Sequence, residues 1–495
     1  MTVEEVFKGV PLRVPLPAAL AGHCVEGLDY DSRRVGPNFL FFAFSGQHAD
    51  GARFAGDALA RGALAVVSES PAPERFSGNW IQVPHGRQAL AITARNFLGK
   101  PDERIALTGI TGTNGKTTVS YIVDSILRAA GITTALIGTI EYRLGGQTLK
   151  AVNTTPESLD LLRSFVQLEQ IRGTHATLEV SSHALELGRV HGLRFHTAVF
   201  TNLSRDHLDF HRTLEEYFSA KTRLFEGAGG PPPTFAVLNA DDAWSRKITT
   251  PHQAQVLQYG LGSRASVRAT HISSTMNGLR FDVQSGKVRF PVESSLVGRI
   301  NVYNILAACC AALSYDLPAE AISKGVSACT AVPGRFERVE EGQPFTVVVD
   351  YAHTDDALRN TIAVARGLGP KRVITLFGCG GDRDRTKRPL MGQAAGELSD
   401  SVVLTSDNPR TEDPLAIIND ALVGLRRTDV LHKIEPDRAL AIRMAIAEAR
   451  PGDLVILAGK GHETYQDLGD HRISFDDRQV AREALRRLGY RKEPS

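Results

Sequence analysis

The segment Thr111-Gly112-Thr113-Asn114-Gly115-Lys116-Thr117-Thr118 joins an apolar, β-leaning run (105–111) to a run of helical character (116–130). Glycines let such a loop curl so that its N–H groups point at phosphate oxygens, and Lys116 would bring charge to the β- and γ-phosphates of a nucleotide. The Thr117 hydroxyl is a hard donor suited to Mg2+, and the helix N-terminus adds its dipole. The strict phosphate-loop spacing wants glycine where Ile110 stands; here the glycines run Gly109-x-x-Gly112-x-x-Gly115. A glycine-rich turn that binds nothing is the plain alternative, and the strand–loop–helix setting favours nucleotide binding.

Glu179 closes a second apolar run ahead of Ser181, Ser182 and His183. A carboxylate at the carboxyl end of a parallel strand faces the ligand crevice and, beside a triphosphate, suits Mg2+. A half-solvated loop acid is an equal alternative. A polar cluster, 202–211, follows another strand. His207 and His211 stand four apart, which invites a zinc pair, but no Glu follows His207 as in the metalloprotease helix, so zinc is discounted. Lys221 falls in the helix opened by the capping signature Thr213-x-x-Glu216. It reads as a solvated surface lysine, which the nearby Tyr217, Phe218, Leu224 and Phe225 weaken only slightly. Three later loops each follow a strand: Gly378-Cys379-Gly380-Gly381-Asp382-Arg383-Asp384, Asp407-Asn408-Pro409-Arg410 and Gly459-Lys460-Gly461-His462-Glu463. Open α/β sheets bind ligands at such ends, and Arg383 and Arg410 are fork donors suited to carboxylates.

These loops require strands alternating with helices, and the chain supplies them. Strands are expected at 105–111, 132–139, 176–181, 197–203 and 235–239, with helices at 116–130, 156–171 and 213–225 between them. A hairpin at 278–291 and a small-residue helix at 301–313 follow. Periodicity lapses over 331–342. The alternation then restarts, with strands at 346–350, 372–377, 401–406 and 454–458 and helices at 356–367, 389–398, 414–425, 438–449 and 476–488. The N-terminal part is a smaller α/β unit with strands at 39–44 and 65–68 and a helix at 52–61. Alternation of this kind means a parallel sheet covered on both faces, and the last part reads as an independent doubly wound domain. The 495 residues agree with three domains at roughly 150 residues each.

Lys+Arg 57 against Asp+Glu 55 gives a formal charge of +2, which leaves no footprint for nucleic acid or an acidic membrane. Hydrophobic residues at 42% and charged residues at 23% exclude collagen-like, coiled-coil and wholly disordered chains. Apolar runs fall short of the ~18–20 residues of a membrane helix. Five cysteines without a Cys-x-x-Cys pair, and no apolar signal core near Met1, point to a reducing cytoplasm.

In motif order and from end to end the chain resembles the Mur ligases of peptidoglycan precursor synthesis. The landmarks are the 111–118 loop, Asn153-Thr154-Thr155-Pro156, Glu179-Val180-Ser181-Ser182-His183, the 201–211 cluster with Lys221, and Asn301-Val302-Tyr303-Asn304. They continue through Pro333-Gly334-Arg335, Asp350-Tyr351-Ala352-His353-Thr354 and the three C-terminal loops. Within the family the resemblance is to members that add the third peptide residue, and 407–410 resembles the form that takes meso-diaminopimelate rather than lysine. The resemblance implies a UDP-sugar-binding domain (1–103), a central P-loop-type ATP-binding domain (104–335) and a Rossmann-like amino-acid-binding domain (336–495).

The same resemblance implies residue roles. Gly112, Thr113, Asn114, Gly115, Lys116, Thr117 and Thr118 would cradle ATP, with Asn301, Arg335 and Asp350 around the nucleotide. Thr117, Glu179, His207 and Lys221, carbamylated by CO2, would hold Mg2+; Lys116, Lys221 and His207 would be catalytic. Tyr30, Ser32, Gln47, His48 and Ala49 would hold the uridine nucleotide of UDP-N-acetylmuramoyl-L-alanyl-D-glutamate. Asn153, Thr154, Thr155, Ser181 and Arg189 would line its peptide end. Arg383, Asp407, Asn408, Pro409, Arg410, Gly459 and Glu463 would hold meso-diaminopimelate. The implied reaction phosphorylates the D-glutamyl carboxylate and lets the amine displace phosphate. Two positions depart from the family's pattern: Leu187 stands where Gln is common, and Asp355 where Pro is common. A folylpolyglutamate synthase shares the central architecture, but the N-terminal unit with Asp31-Ser32-Arg33 argues against it. A lysine-adding relative is closer and is separated by Arg410. A nucleotide-driven switch protein without ligation chemistry does not explain the three C-terminal loops.

Overall fold

The computed structural model describes residues 1–46 and 50–491. Gln47, His48 and Ala49, expected at the uridine nucleotide, lie outside the described residues. Three sheets follow one another along the chain. The first has four parallel strands in the order Gly27–Asp29, Phe39–Phe42, Ala65–Ser68, Trp80–Gln82. Its outer strands are three residues long, too short to show a pattern in sequence.

The second sheet has eleven strands. Its parallel centre runs Gln255–Gly260, Phe235–Asn239, Phe195–Phe200, Ala106–Thr111, His175–Glu179, Thr134–Ile137. Both ends turn antiparallel: Glu141–Leu144 and Gln147–Lys150 at one, and a meander of Val267–Thr275, Gly278–Ser285 and Val288–Ser294 at the other. The hairpin expected at 278–291 is thus two strands of a three-stranded meander. The chain passes from Ala106–Thr111 to Thr134–Ile137, later fills the gap with His175–Glu179, and then crosses to Phe195–Phe200 on the other side. The carboxyl end of Ala106–Thr111 is therefore a switch point, where a crevice opens between divergent loops. The helix Lys116–Ala129 that follows is buried along nearly its whole length and touches Arg299–Leu313 and Ala319–Ala328.

The third sheet has the order Glu337–Val339, Thr346–Asp350, Leu454–Ala458, Val373–Phe377, Ser401–Leu404, Leu431–Ile434, parallel except for its first strand. The three polar loops follow three adjacent strands of this sheet. Wholly buried Arg438 fixes two of those strand ends. It donates to Ser406 O (3.3 Å) and Ala458 O (2.9 Å) and grips wholly buried Asp477 with two bonds (2.8 and 2.6 Å). Removing one partner of a buried pair strands the other charge, so Asp477→Asn is expected to cost roughly 3–5 kcal/mol. Urea unfolding that shows less than ~1 kcal/mol lost would mean the guanidinium is satisfied by the carbonyls alone. Among the described residues no helix is long and apolar enough to cross a membrane.

Candidate active site

The 111–118 loop lies at the switch point and is clamped by the segment after Phe195–Phe200. Thr113 N donates to Asn202 O (2.8 Å), Asn114 N to Asn202 Oδ1 (3.0 Å), and Thr201 Oγ1 to Asn114 O (2.6 Å). Two glycines are obligatory. Gly112 has φ +138°, and a Cβ there would sit 1.9 Å from Thr201 Oγ1; Gly115 has φ +86°, and a Cβ would meet Asn304 Oδ1 at 2.4 Å. The amides of Thr113 and Asn114 are occupied by Asn202, so they do not face a phosphate as the sequence suggested. Val119 N makes the first helical bond, to Gly115 O (2.9 Å). The amides of Lys116, Thr117 and Thr118 therefore have no partner within the helix and form its anion-binding end.

Two lysines converge on one carbonyl. Lys116 Nζ donates to Gly112 O and Thr113 O (both 2.8 Å), and Lys221 Nζ to the same Gly112 O (2.9 Å). Lys221 is 1% exposed and its ammonium lies 4.3 Å from the Tyr217 ring centre. The surface reading of this lysine is overturned, because Tyr217, Leu224 and Phe225 share its helical face and are all buried in the core. Burial and the charge of Lys116 hold Lys221 well below the ordinary lysine pKa. Burial lowers Lys116 too. The helix is Leu214–Glu226. Thr213 Oγ1 caps it through Glu216 N (3.1 Å), but Thr213 N turns back to His211 O, so the capping box is only half made.

Glu179 is buried opposite the loop. Its Oε2 accepts from Thr117 Oγ1 (2.9 Å) and Thr139 Oγ1 (3.0 Å), and its Oε1 from Thr139 N (2.9 Å). Arg335 reaches Thr117 Oγ1 with Nη2 (3.2 Å), while its buried Nε has no partner among the described residues. The residue before the helix Leu208–His211, His207, has φ +54° and lies beside Asp206 (Nε2 to Oδ2, 3.4 Å). His211, four residues on, bonds Ser182 (2.9 Å) rather than pairing with His207. Asn301, Arg335 and Asp350 line the same cavity as the loop. Asp350 is raised by burial, and its oxygens accept from Phe336 N (2.7 Å), Ala352 N (2.9 Å) and Thr361 Oγ1 (2.9 Å). Asn304, one helical turn beyond Asn301, bonds Asn301 Oδ1 (2.9 Å) and presses on Gly115. Sequence reading gave it no role, although its i, i+3 spacing placed it on the face of Asn301.

The three C-terminal loops form a second cavity with Arg383, Asp407, Asn408, Arg410, Gly459 and Glu463 in its wall. Lys460, fully buried, bonds Asn408 Oδ1 and Glu463 Oε2 (both 3.0 Å) and lies 3.7 Å from Asp407. Arg410 gives Nη1 to Gly381 O (2.5 Å), and neither it nor Arg383 forms a salt bridge among the described residues. Pro409 does not line this cavity; its carbonyl presses on Gly381. Asp206, His207, Tyr351 and His353 line both cavities, and sequence reading had assigned only His207 among them. The third sheet is held against the central one by Asp356, which accepts from Asn114 Nδ2 and Ser204 Oγ (both 2.8 Å). Its neighbour Asp355, where the family commonly has Pro, is the first residue of the helix Asp355–Gly367, a position that suits either an acid or a proline.

Towards the first sheet, Thr154 and Ser181 line the nucleotide cavity. Thr155 does not: it is wholly buried and donates to Glu179 O (2.8 Å). Arg189 bonds Glu157 (3.0 Å) and Thr155 O (3.0 Å), and Glu157 also receives Arg87 (3.2 Å) of the first unit. Asn153 is exposed, and its carbonyl accepts from the Tyr142 hydroxyl. Tyr30 bonds Asp160 across the same boundary, and Ser32 starts the tight turn Ser32–Arg34. Leu187 ends the short helix Ser182–Glu186.

Comparison with known proteins matches residues 25–98 to the Mur ligase family catalytic domain, 110–312 to the Mur ligase middle domain and 334–461 to the Mur ligase glutamate ligase domain. The chain is 67% identical over 490 residues, 99% of each chain, to a protein of Solibacter usitatus named UDP-N-acetylmuramoyl-L-alanyl-D-glutamate--2,6-diaminopimelate ligase. A solved structure with that name superimposes with a TM-score of 0.70 at 35% identity, covering 99% of both chains. The MurF ligase of Thermotoga maritima, solved in complex with ADP, shares the fold (TM-score 0.63, 18% identity, 93% of this chain and 96% of that one).

Proposed function

The chain belongs to the Mur ligase family, and we propose that it is the ATP-dependent ligase that joins meso-diaminopimelate to the D-glutamyl carboxyl group of UDP-N-acetylmuramoyl-L-alanyl-D-glutamate. The observation that carries this reading is the shared wall of Asp206, His207, Tyr351 and His353. A carboxylate phosphorylated at the end of the nucleotide cavity would lie beside an amine held in the adjoining one, the short path that an easily hydrolysed acyl phosphate requires.

The amides of Lys116, Thr117 and Thr118, with Lys116 Nζ and Arg335, bind and orient the phosphates. Asn301 and Asp350 flank the rest of the nucleotide. Thr117 and Glu179 offer the hard oxygens that Mg2+ prefers, and they with His207 and carbamylated Lys221 would hold it. Bound there, the ion neutralises charge on the transferring phosphoryl group. Thr154, Ser181 and Arg189, with Asn153 at the rim, present the peptide end of the UDP-sugar; Tyr30, Ser32 and the 47–49 segment hold its nucleotide. Asp407, Asn408 and Glu463 with the Gly459 loop take an ammonium of the amino acid, and Arg383 and Arg410 take its carboxylates. Five free cysteines, four of them buried, suit a reducing cytoplasm. ADP release that needs both the UDP-dipeptide and diaminopimelate is the expected assay result. ADP release independent of any amine, or AMP and pyrophosphate as products, would overturn the reading.

Selectivity rests on Arg410. Diaminopimelate carries a distal carboxylate that lysine lacks, and a guanidinium meets it with two parallel bonds. With lysine bound, Arg410 keeps only a carbonyl. Arg410 is half-buried, so leaving it unpaired costs between the ~1 kcal/mol of a surface pair and the roughly 3–5 kcal/mol of a buried one, which at about 1.4 kcal/mol per decade is on the order of 10–10²-fold or more in kcat/KM. Arg410→Ala should narrow that gap mainly by raising the diaminopimelate KM. Equal use of both amino acids by the native enzyme would defeat the assignment.

A further inference from the structure

Behind the amino-acid cavity lies a charge cluster built on one wholly buried arginine, and neither Arg388 nor Glu412 is among the residues assigned to a substrate. Arg388 is 0% exposed on the helix Lys387–Leu398. Its Nη2 donates to Glu412 Oε1 (2.7 Å) and Gly380 O (3.2 Å), and its Nη1 to Glu412 Oε2 (3.1 Å) and Asp420 Oδ2 (2.9 Å). Glu412 Oε1 also accepts from Asp382 N (2.6 Å), and Oε2 from Arg385 Nη2 (2.5 Å). The pair therefore stands between the loop carrying Arg383 and the loop carrying Arg410.

The two loops are zipped at further points. Gly381 N donates to Asn408 O (2.9 Å), Arg410 Nη1 to Gly381 O, and Thr411 Oγ1 to Asp382 Oδ1 (2.8 Å). Asp382 and Arg410 both hold left-handed backbone, φ +51° and +52°. Non-glycine residues stay in that region only where their surroundings over-determine it. Here the Asp382 amide is held by Glu412 itself.

We propose that Arg388 and Glu412 are positioning residues that set amino-acid selectivity, by locking the two arginine-bearing loops at the spacing a dicarboxylate requires. The proposal rests on the diaminopimelate reading above. Arg388 in turn holds the Glu412 carboxyl low, at about 2, so the pair stays charged throughout the working range. Glutamine cannot replace Glu412. Both carboxylate oxygens accept from donors, so the amide NH2 must face either Asp382 N and Arg388 or Arg388 and Arg385. Lysine cannot replace Arg388, because one ammonium does not reach Glu412, Asp420 and Gly380 together.

The test is steady-state kinetics on the full-length enzyme with ATP, UDP-dipeptide and diaminopimelate. Glu412→Gln should raise the diaminopimelate KM at least ~20-fold, change kcat less than ~3-fold and leave the other two KM values within ~2-fold. Preference over lysine should fall in step, and Arg388→Lys should behave alike. Glu412→Asp keeps the charge but shortens the reach; it should raise the same KM by about 5-fold, and it decides the matter if the glutamine variant does not fold. A folded Glu412→Asp or Glu412→Gln enzyme with native diaminopimelate KM overturns the proposal, as does a rise in all three KM values together. Native enzyme that ignores diaminopimelate would instead overturn the function assigned above.

Discussion

Lys116→Ala is expected to lower kcat/KM on the order of 10³–10⁵-fold, the range lost when a cation aimed at a transferring phosphoryl group is removed. The ammonium is fixed by Gly112 O and Thr113 O at 2.8 Å each, at the N-terminus of the helix whose first amides are without helical partners. The loss falls on the transition state, where charge builds on the phosphoryl oxygens, so kcat carries most of it. Stability should change little. Two charge-assisted bonds disappear, but so does the repulsion between Lys116 and Lys221 across Gly112 O. The check is single-turnover formation of ADP, together with the UDP-dipeptide Kd and a thermal melt. ADP formed at a rate within ~10-fold of native would remove Lys116 from the phosphoryl-transfer step. A collapsed melt would move its role to the fold.

Lys116 was legible because its setting is local: strand, glycine loop and helix follow one another within a few residues. The parallel strands were legible for a related reason. Buried on both faces, they read as continuous apolar runs, as in Val373–Phe377 and Leu454–Ala458. Edge strands carry no such signal. Leu431–Ile434 is exposed throughout, and Gln147–Lys150 equally so, and neither was anticipated. Boundaries drifted at functional ends. The strand expected at 176–181 stops at Glu179, because Ser181 caps the next helix by accepting from Ala184 N (3.1 Å). Thr155 reads like its neighbours Asn153 and Thr154, yet it is turned into the core, since local sequence does not say which way a loop residue faces. The Arg388–Glu412 pair spans 24 residues and exists only once Lys387–Leu398 packs beside the 407–412 loop. Lys221 is the instructive case. Its helical phase with Tyr217, Leu224 and Phe225 was in plain view, and the ordinary preference of lysine for solvent outweighed it.

Lys221→Ala should cost about 10³-fold in kcat, and Lys221→Arg should not restore it. As a bare ammonium Lys221 is badly placed: it is buried, shares Gly112 O with Lys116 and, among the described residues, has no carboxylate bonded to it. Burial and the neighbouring charge of Lys116 depress its pKa, so more of the amine is neutral near pH 7, and only the neutral amine attacks CO2. In carbamylation the nitrogen lone pair would form the C–N bond, one C=O π pair would move to oxygen, and the nitrogen proton would leave to solvent. The product is a carbamate anion where a cation stood. Its repulsion from Lys116 would become attraction, and its oxygens would be further hard donors beside Thr117 and Glu179, the set that would hold Mg2+. Arginine keeps the positive charge at every working pH and cannot make this exchange. Activity should therefore fall as pH drops and the amine protonates, fall in CO2-depleted buffer, and return with bicarbonate. Intact mass of the native protein under CO2 should show one added CO2 that Lys221→Arg lacks. An arginine variant with native kcat, or crystallographic density for a bare amine beside bound Mg2+, would reject the carbamate.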